Sequence, residues 1–272
     1  MVNLDRYKDM FDGLNAKNQG AFVPFVMVGD PDIQTSVNII KALVEGGADA
    51  LELGFPYSDP IADGPTIQKA SLRALSHKIK TTDCFAIIRQ VRDAYPAIPI
   101  GLLLYSNLVL KRGIETFYQD AAKAGVDSIL IADVPLREAE RFITVANSVG
   151  IKQILIAPPN ASEETLAHIG QQSQGYTYLL GRAGVTGAET AAATPTHELI
   201  EKLTRHKVAP PLLGFGISKP EQVSEAISAG AAGAISGSAT VNIIAKYLEQ
   251  PAEMLKQLKA FVGEMKAATL KQ

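Results

Sequence analysis

The sequence predicts a (β/α)8 TIM barrel, a closed ring of eight parallel strands wrapped by helices. Two observations predict it. Across 272 residues, short apolar runs of strand length alternate eight times with longer segments of helical period. One module also recurs. Gly47-Ala48-Asp49-Ala50-Leu51-Glu52-Leu53, Gly125-Val126-Asp127-Ser128-Ile129-Leu130-Ile131 and Gly230-Ala231-Ala232-Gly233-Ala234-Ile235-Ser236 each read as a helix-ending glycine, a tight turn and a buried strand. A repeated βα unit favours a closed parallel barrel over a mixed fold. The alternative is an open doubly wound sheet, but its usual GxGxxG turn after the first strand is missing.

Taken in order, an extra N-terminal helix precedes strands at 21–28, 50–54, 98–105, 128–132, 153–157, 176–180, 212–215 and 234–236. Runs such as Ile129-Leu130-Ile131 are apolar on both sides, as strands need between a barrel core and a helical coat. Helical periodicity marks 33–45, 67–75, 83–95, 114–124, 136–148, 220–229 and 253–267, with a short extra helix at 239–248 after the eighth strand. No interior segment reads as a linker, so one barrel domain over 1–272 is expected. The two loops richest in special residues, 55–66 and 181–193, follow strands, at the end where barrels carry their chemistry.

Bulk properties exclude several classes. A net charge of −2 lacks the basic surface that nucleic-acid phosphates need. No stretch approaches 18 consecutive apolar residues, and the N-terminus lacks a signal-peptide apolar region, so a cytoplasmic protein is expected. The lone Cys84 cannot form an intrachain disulfide and sits on an apolar helical face, as a packing residue would.

Three features carry chemistry. Glu52 interrupts an apolar strand, which is costly unless the carboxylate is paired or functional. A structural ion pair would explain it; a place in the active-site mouth explains it better, because strand-end carboxylates in barrels point there. Partial desolvation would raise its pKa and suit it to proton transfer near neutrality. Asp63 stands in a loop bounded by prolines and Gly64. It is equally an Asx-turn, a helix N-cap or a catalytic group, whereas Asp59 reads as structural or interfacial. Glycines at 184 and 187, at 214 and 216, and at 237 follow strands six, seven and eight; they suit a phosphate cradle, or alternatively mere turns.

The histidines His77, His168, His197 and His206 fall in helices or helix ends, lack metal-ligand spacing and read as surface residues. No lysine occupies the C-terminal half of a strand, so an imine nucleophile is missing there. Metal-free acid–base chemistry on a phosphorylated small molecule is what remains.

The segment Leu51-Glu52-Leu53-Gly54-Phe55-Pro56-Tyr57-Ser58-Asp59-Pro60-Ile61-Ala62-Asp63-Gly64-Pro65-Thr66-Ile67-Gln68 resembles the signature of tryptophan synthase alpha subunits. So do Pro24-Phe25-Val26, Gly181-Arg182-Ala183-Gly184-Val185-Thr186-Gly187-Ala188, Gly214-Phe215-Gly216-Ile217-Ser218 and Gly233-Ala234-Ile235-Ser236-Gly237-Ser238, in family order along the whole chain. The resemblance implies a lyase that splits indole-3-glycerol phosphate into indole and glyceraldehyde 3-phosphate. It implies Glu52 and Asp63 as the catalytic carboxylates. It places Phe25, Leu103, Leu130, Tyr178 and Phe215 around the indole, and Gly187, Gly216, Gly237 and Ser238 around the phosphate. Thr186 would hydrogen-bond the loop aspartate on closure.

By the same resemblance, no cofactor belongs to this chain. A beta subunit carrying pyridoxal phosphate would complete an alpha2beta2 heterotetramer by way of Pro56, Asp59, Pro60, Asn107 and Pro135. Gly181 and Ile61 depart from the usual Ser and Leu, which bears on loop closure rather than on the reaction. A non-catalytic sugar-phosphate-binding regulatory subunit could dispense with Glu52 or Asp63, and another phosphate-binding barrel enzyme would not call for the long Asp/Pro loop.

Overall fold

Strand parity sets the architecture. The computed structural model describes residues 5–181 and 197–271. Its strands are β1 (Ala21–Met27), β2 (Leu51–Gly54), β3 (Ile100–Leu104), β4 (Ser128–Ile131), β5 (Lys152–Gln153), β6 (Leu155–Ala157), β7 (Thr177–Leu180), β8 (Pro211–Gly214) and β9 (Gly233–Ser236). All pair in parallel, in the order β5-β4-β3-β2-β1-β9-β8-β7-β6.

The two outer members, β5 and β6, are one predicted strand broken at Ile154. The Ile154 amide still donates to Ile129 at 2.9 Å, while Leu155 pairs with Thr177, so the fifth strand bridges both sides and the ring closes. The eight-stranded expectation therefore holds, with that one irregularity. The third strand starts at Ile100 rather than at 98, because Pro99 has no N–H to give the ladder.

The helices are α1 (Arg6–Ala16), α2 (Ile33–Glu45), α3 (Pro65–Ser76), α4 (Thr81–Ala94), α5 (Ser106–Arg112), α6 (Ile114–Ala124), α7 (Glu140–Val149), α8 (Glu163–Gln172), α9 (His197–Arg205), α10 (Pro220–Ser228), α11 (Ser238–Lys246) and α12 (Pro251–Ala267). The predicted 136–148 helix is in fact a 3-10 turn, Leu136–Glu138, followed by α7. Helix α3 begins two residues early, with Pro65 in its first turn, where a missing N–H costs nothing.

Inward and outward side chains alternate. Leu51 and Leu53 face the helical coat, whereas Ala50 packs inside the barrel with Val23, Leu130, Ile154, Tyr176 and Leu212. Glu52 lies between the two outward leucines and so points inward. Helix α1 stoppers the N-terminal end of the ring, where Tyr7, Phe11 and Leu14 join the interior cluster.

The repeated module now has a physical meaning. Asp49 precedes β2 and accepts from the Phe22 amide of β1 at 2.8 Å; Asp127 precedes β4 and accepts from the Ile100 amide of β3 at 2.8 Å. Each aspartate knots one strand's start to its neighbour. In the third copy Ala232 keeps only the backbone bond, to Pro211 at 2.8 Å. Cys84 is buried on α4, as its apolar surroundings predict, and burial pushes its thiol pKa up. His77 and His168 are exposed, but His206 is half-buried and meets Glu163 at 2.6 Å, so it is more than a free surface residue.

Candidate active site

At the C-terminal mouth, β1, β2, β3, β7, β8 and β9 and their following loops line a cavity. Phe25, Glu52, Asp63, Leu103, Tyr178, Phe215, Gly216, Gly237 and Ser238 line it, together with Ile67, Ile217, Ile235 and Ala239. Its shape depends on two glycines. A Cβ at Gly54 would stand 2.5 Å from the Phe25 ring, and one at Gly214 would stand 2.2 Å from Tyr178. Only glycine lets these rings lie across the mouth.

Glu52 is 2% exposed and pairs in register with Phe25 on one side and Gly101 on the other. Its carboxylate accepts from the Tyr176 hydroxyl at 2.9 Å. Burial raises its pKa to about 7, with the tyrosine bond opposing the shift. Asp63 is 6% exposed, and burial raises its pKa to about 6 against a hydrogen bond from Tyr105. Among the described residues, no Lys or Arg pairs with either carboxyl group. The ion-pair alternative for Glu52 therefore has no cation there. The capping alternative for Asp63 also fails, since Gly64 is the α3 N-cap and no side chain caps that helix.

Backbone donors also line the cavity. Helix α11 opens at Gly237 and Ser238 with no side-chain cap. Phe215 and Gly216 both have positive φ, 72° and 74°. For a phenylalanine that is a strained backbone, held because Ser236 grips the Ile217 carbonyl at 2.7 Å and so ties the two loops together. Amides and a hydroxyl at a helix N-terminus suit a phosphate. The described lining residues include no Lys, Arg or His, so the chemistry available from them is proton transfer by two carboxyl groups.

A family profile described as tryptophan synthase alpha chain matches residues 11–270. The chain belongs to that family. The tryptophan synthase alpha chain of Photobacterium profundum is 58% identical over 266 residues, which are 98% of this chain and 99% of that one. Among solved structures, a tryptophan synthase from Mycobacterium tuberculosis superposes with a TM-score of 0.88 at 30% identity, covering 98% of this chain and 99% of that one. A chain of the tryptophan synthase complex from Pyrococcus furiosus gives 0.80 at 35% identity, covering 91% and 98%.

For a tryptophan synthase alpha chain family member, the sequence locates most of the cavity. Leu130 does not line it; the side chain is 1% exposed in the interior cluster behind Tyr176 and Tyr178. Thr186 and Gly187 lie outside the described residues. Of the partner-facing set, Asp59, Asn107 and Pro135 are exposed and Pro60 is half-buried, whereas Pro56 is buried within the chain itself.

The sequence missed Tyr176 and Tyr105, the two groups that hold the carboxyls. Parity could have found both. Tyr176 is two residues before the inward Tyr178, and Tyr105 is two residues after the cavity-lining Leu103, so each shares its neighbour's face.

Proposed function

We propose that the chain, as one barrel domain, cleaves indole-3-glycerol phosphate to indole and glyceraldehyde 3-phosphate in tryptophan biosynthesis, with Glu52 and Asp63 as its catalytic groups. The observation that carries this reading is the pair of buried carboxyl groups facing one cavity, each held among the described residues by a tyrosine hydroxyl rather than a cation.

Indole leaves poorly as a carbanion. Protonated Glu52 delivers its proton to indole C3, and ionised Asp63 stabilises the ring N–H as positive charge builds there. The carboxylate of Glu52 then takes the proton of the glycerol hydroxyl beside the C3–carbon bond. That bond breaks, its electrons restore the aromatic ring, and the aldehyde forms. Glu52 ends protonated, as it began, now carrying the hydroxyl's proton. Acid–base help of this kind is worth roughly a hundred- to ten-thousandfold, and positioning supplies the rest. A pKa of about 7 at Glu52 beside one of about 6 at Asp63 fits the two states required.

Phe25, Leu103, Tyr178 and Phe215 give the indole an apolar slot, and Gly216, Gly237 and Ser238 take the phosphate. Indole passes to a beta subunit, which holds pyridoxal phosphate in an alpha2beta2 assembly in the cytoplasm. The test is indole release from indole-3-glycerol phosphate, with and without beta subunit. Release that glycerol 3-phosphate inhibits is expected; its absence in both settings would overturn the reading.

A further inference from the structure

Asp63 sits at the end of a loop whose anchors are unequal. Tyr57, near its start, is fixed by backbone: its amide donates to the Ser71 hydroxyl at 2.8 Å, and that hydroxyl returns a bond to the Tyr57 carbonyl at 2.8 Å. At the far end the Asp63 backbone is held by Pro60 and Gln68, at 3.0 and 2.7 Å. Among the described residues, the side chain of Asp63 and the Ala62 amide share one partner, the Tyr105 hydroxyl, which accepts from Ala62 at 3.1 Å and bonds the carboxylate.

Tyr105 is in turn braced. It caps the start of α5, where Asp133 takes both the amide and the hydroxyl of Ser106, at 2.7 and 2.8 Å. Its ring packs on that of Tyr57, with centroids 5.3 Å apart and planes 31° from parallel. The Tyr57 hydroxyl accepts from the exposed amide of Asn107 at 2.6 Å. A continuous chain of contacts thus runs from the surface of α5 to the loop carboxylate.

We propose that Tyr57, clamped by Asn107, is a positioning residue that acts on Asp63 through Tyr105. The proposal rests on the catalytic reading of Asp63. A hydrogen bond from a hydroxyl favours the charged carboxylate, and it weakens steeply once the donor ring tilts away. The Tyr57–Asn107 clamp limits that tilt. Its outer end is a surface amide, so a partner that competes for Asn107 would loosen the loop, and one that leaves the bond intact would not. The titratable groups facing Asp63 are Glu52 on β2, Tyr178 on β7 and Tyr105; among the described residues none is a cation.

The test compares Tyr57→Phe, Asn107→Ala, Tyr105→Phe, Asp63→Asn and the double variant Tyr57→Phe/Tyr105→Phe in the full chain. Steady-state cleavage is followed from pH 5 to 9, with glycerol 3-phosphate affinity measured alongside. Tyr105→Phe is expected to lower kcat about tenfold and to move the acid limb of kcat/KM upward by about half a pH unit. Tyr57→Phe and Asn107→Ala should match each other and move the same limb the same way, by less. Adding Tyr57→Phe to Tyr105→Phe should change nothing further, because the first acts only through the second. Phosphate-ester affinity should stay within about twofold of the parent, because that site lies on other strands. An unmoved limb in Tyr57→Phe, or full additivity in the double variant, would overturn the positioning role while leaving Asp63 catalytic. Wild-type activity in Asp63→Asn would overturn both.

Discussion

Carboxylates with little exposure occur at both ends of this barrel, and their partners differ; one near the C-terminal end, Asp30 after β1, is itself held by a cation, Arg73, at 2.7 Å. At the N-terminal end, Asp127 meets Arg6 at 2.8 Å and Arg92 at 2.6 Å, and Asp49 meets Lys266 at 2.8 Å. Each also pins a strand amide. At the C-terminal mouth, Glu52 and Asp63 are held by tyrosine hydroxyls. A cation offsets the cost of burying a charged carboxylate, which suits a structural role. A hydroxyl can hold a carboxyl group while its charge changes, and burial without a cation keeps the pKa near neutrality. Burial alone therefore does not separate the two pairs; the partner, a cation or an uncharged donor, does.

The comparison breaks first, and most visibly, at Glu52. Glu52→Gln keeps the shape but cannot shuttle a proton, so cleavage should fall by a thousandfold or more, on the order of the full general acid–base contribution. Glycerol 3-phosphate should still bind. Cleavage within tenfold of the parent would remove Glu52 from the mechanism.

At the other end the cost should appear in folding. Asp127→Ala leaves Arg92, which is 7% exposed, with carbonyl partners but no carboxylate, and breaking a buried pair costs about 3–5 kcal/mol. A denaturant titration should show that loss, while the rate per folded molecule stays near the parent's. A specific loss of rate without loss of stability would erase the distinction between the two ends.

Stability against pH sharpens the contrast. Glu52 holds its proton more tightly in the folded chain, at about 7, than at its ordinary 4.5. The folded state is therefore favoured below pH 4.5, and that advantage is lost as the pH rises through about 7. Glu52→Gln abolishes this titration. It should stabilise the protein above pH 7 by on the order of 3 kcal/mol, with the gap closing as the pH falls toward 4.5. Thermal melts at pH 5 and pH 8 that show equal shifts would contradict it.

The smallest effect on the fold is expected at Gly237. A Cβ there would come nearest the Phe25 side chain, at 3.6 Å, an ordinary contact, and its φ of −102° suits any residue. Gly237→Ala should leave the melting temperature nearly unchanged. Yet it places a methyl before the first amides of α11 and should weaken glycerol 3-phosphate binding about tenfold or more. Unchanged affinity by calorimetry would put the phosphate elsewhere.

What the sequence determined by itself is local. Strand-length runs alternating with helical periods, and the recurring Gly-x-Asp module, specify the parallel units, because parity and turn chemistry act over a few neighbouring residues. The same parity turns Glu52 inward, and the glycines after the later strands mark loops that suit a phosphate. The sequence singled out Glu52 inside an apolar strand and Asp63 in its loop, but it could not say which partner each of these acids, or Asp49 and Asp127, would meet. Only closure of the ring decided that. It brought Tyr176, 124 positions away, onto Glu52, and Arg6, 121 positions away, onto Asp127. Whether a buried carboxylate meets a hydroxyl or a guanidinium depends on which strands and helices become neighbours in space. Those contacts are long-range: local parity gives the face a side chain takes, and closure gives the neighbour it meets.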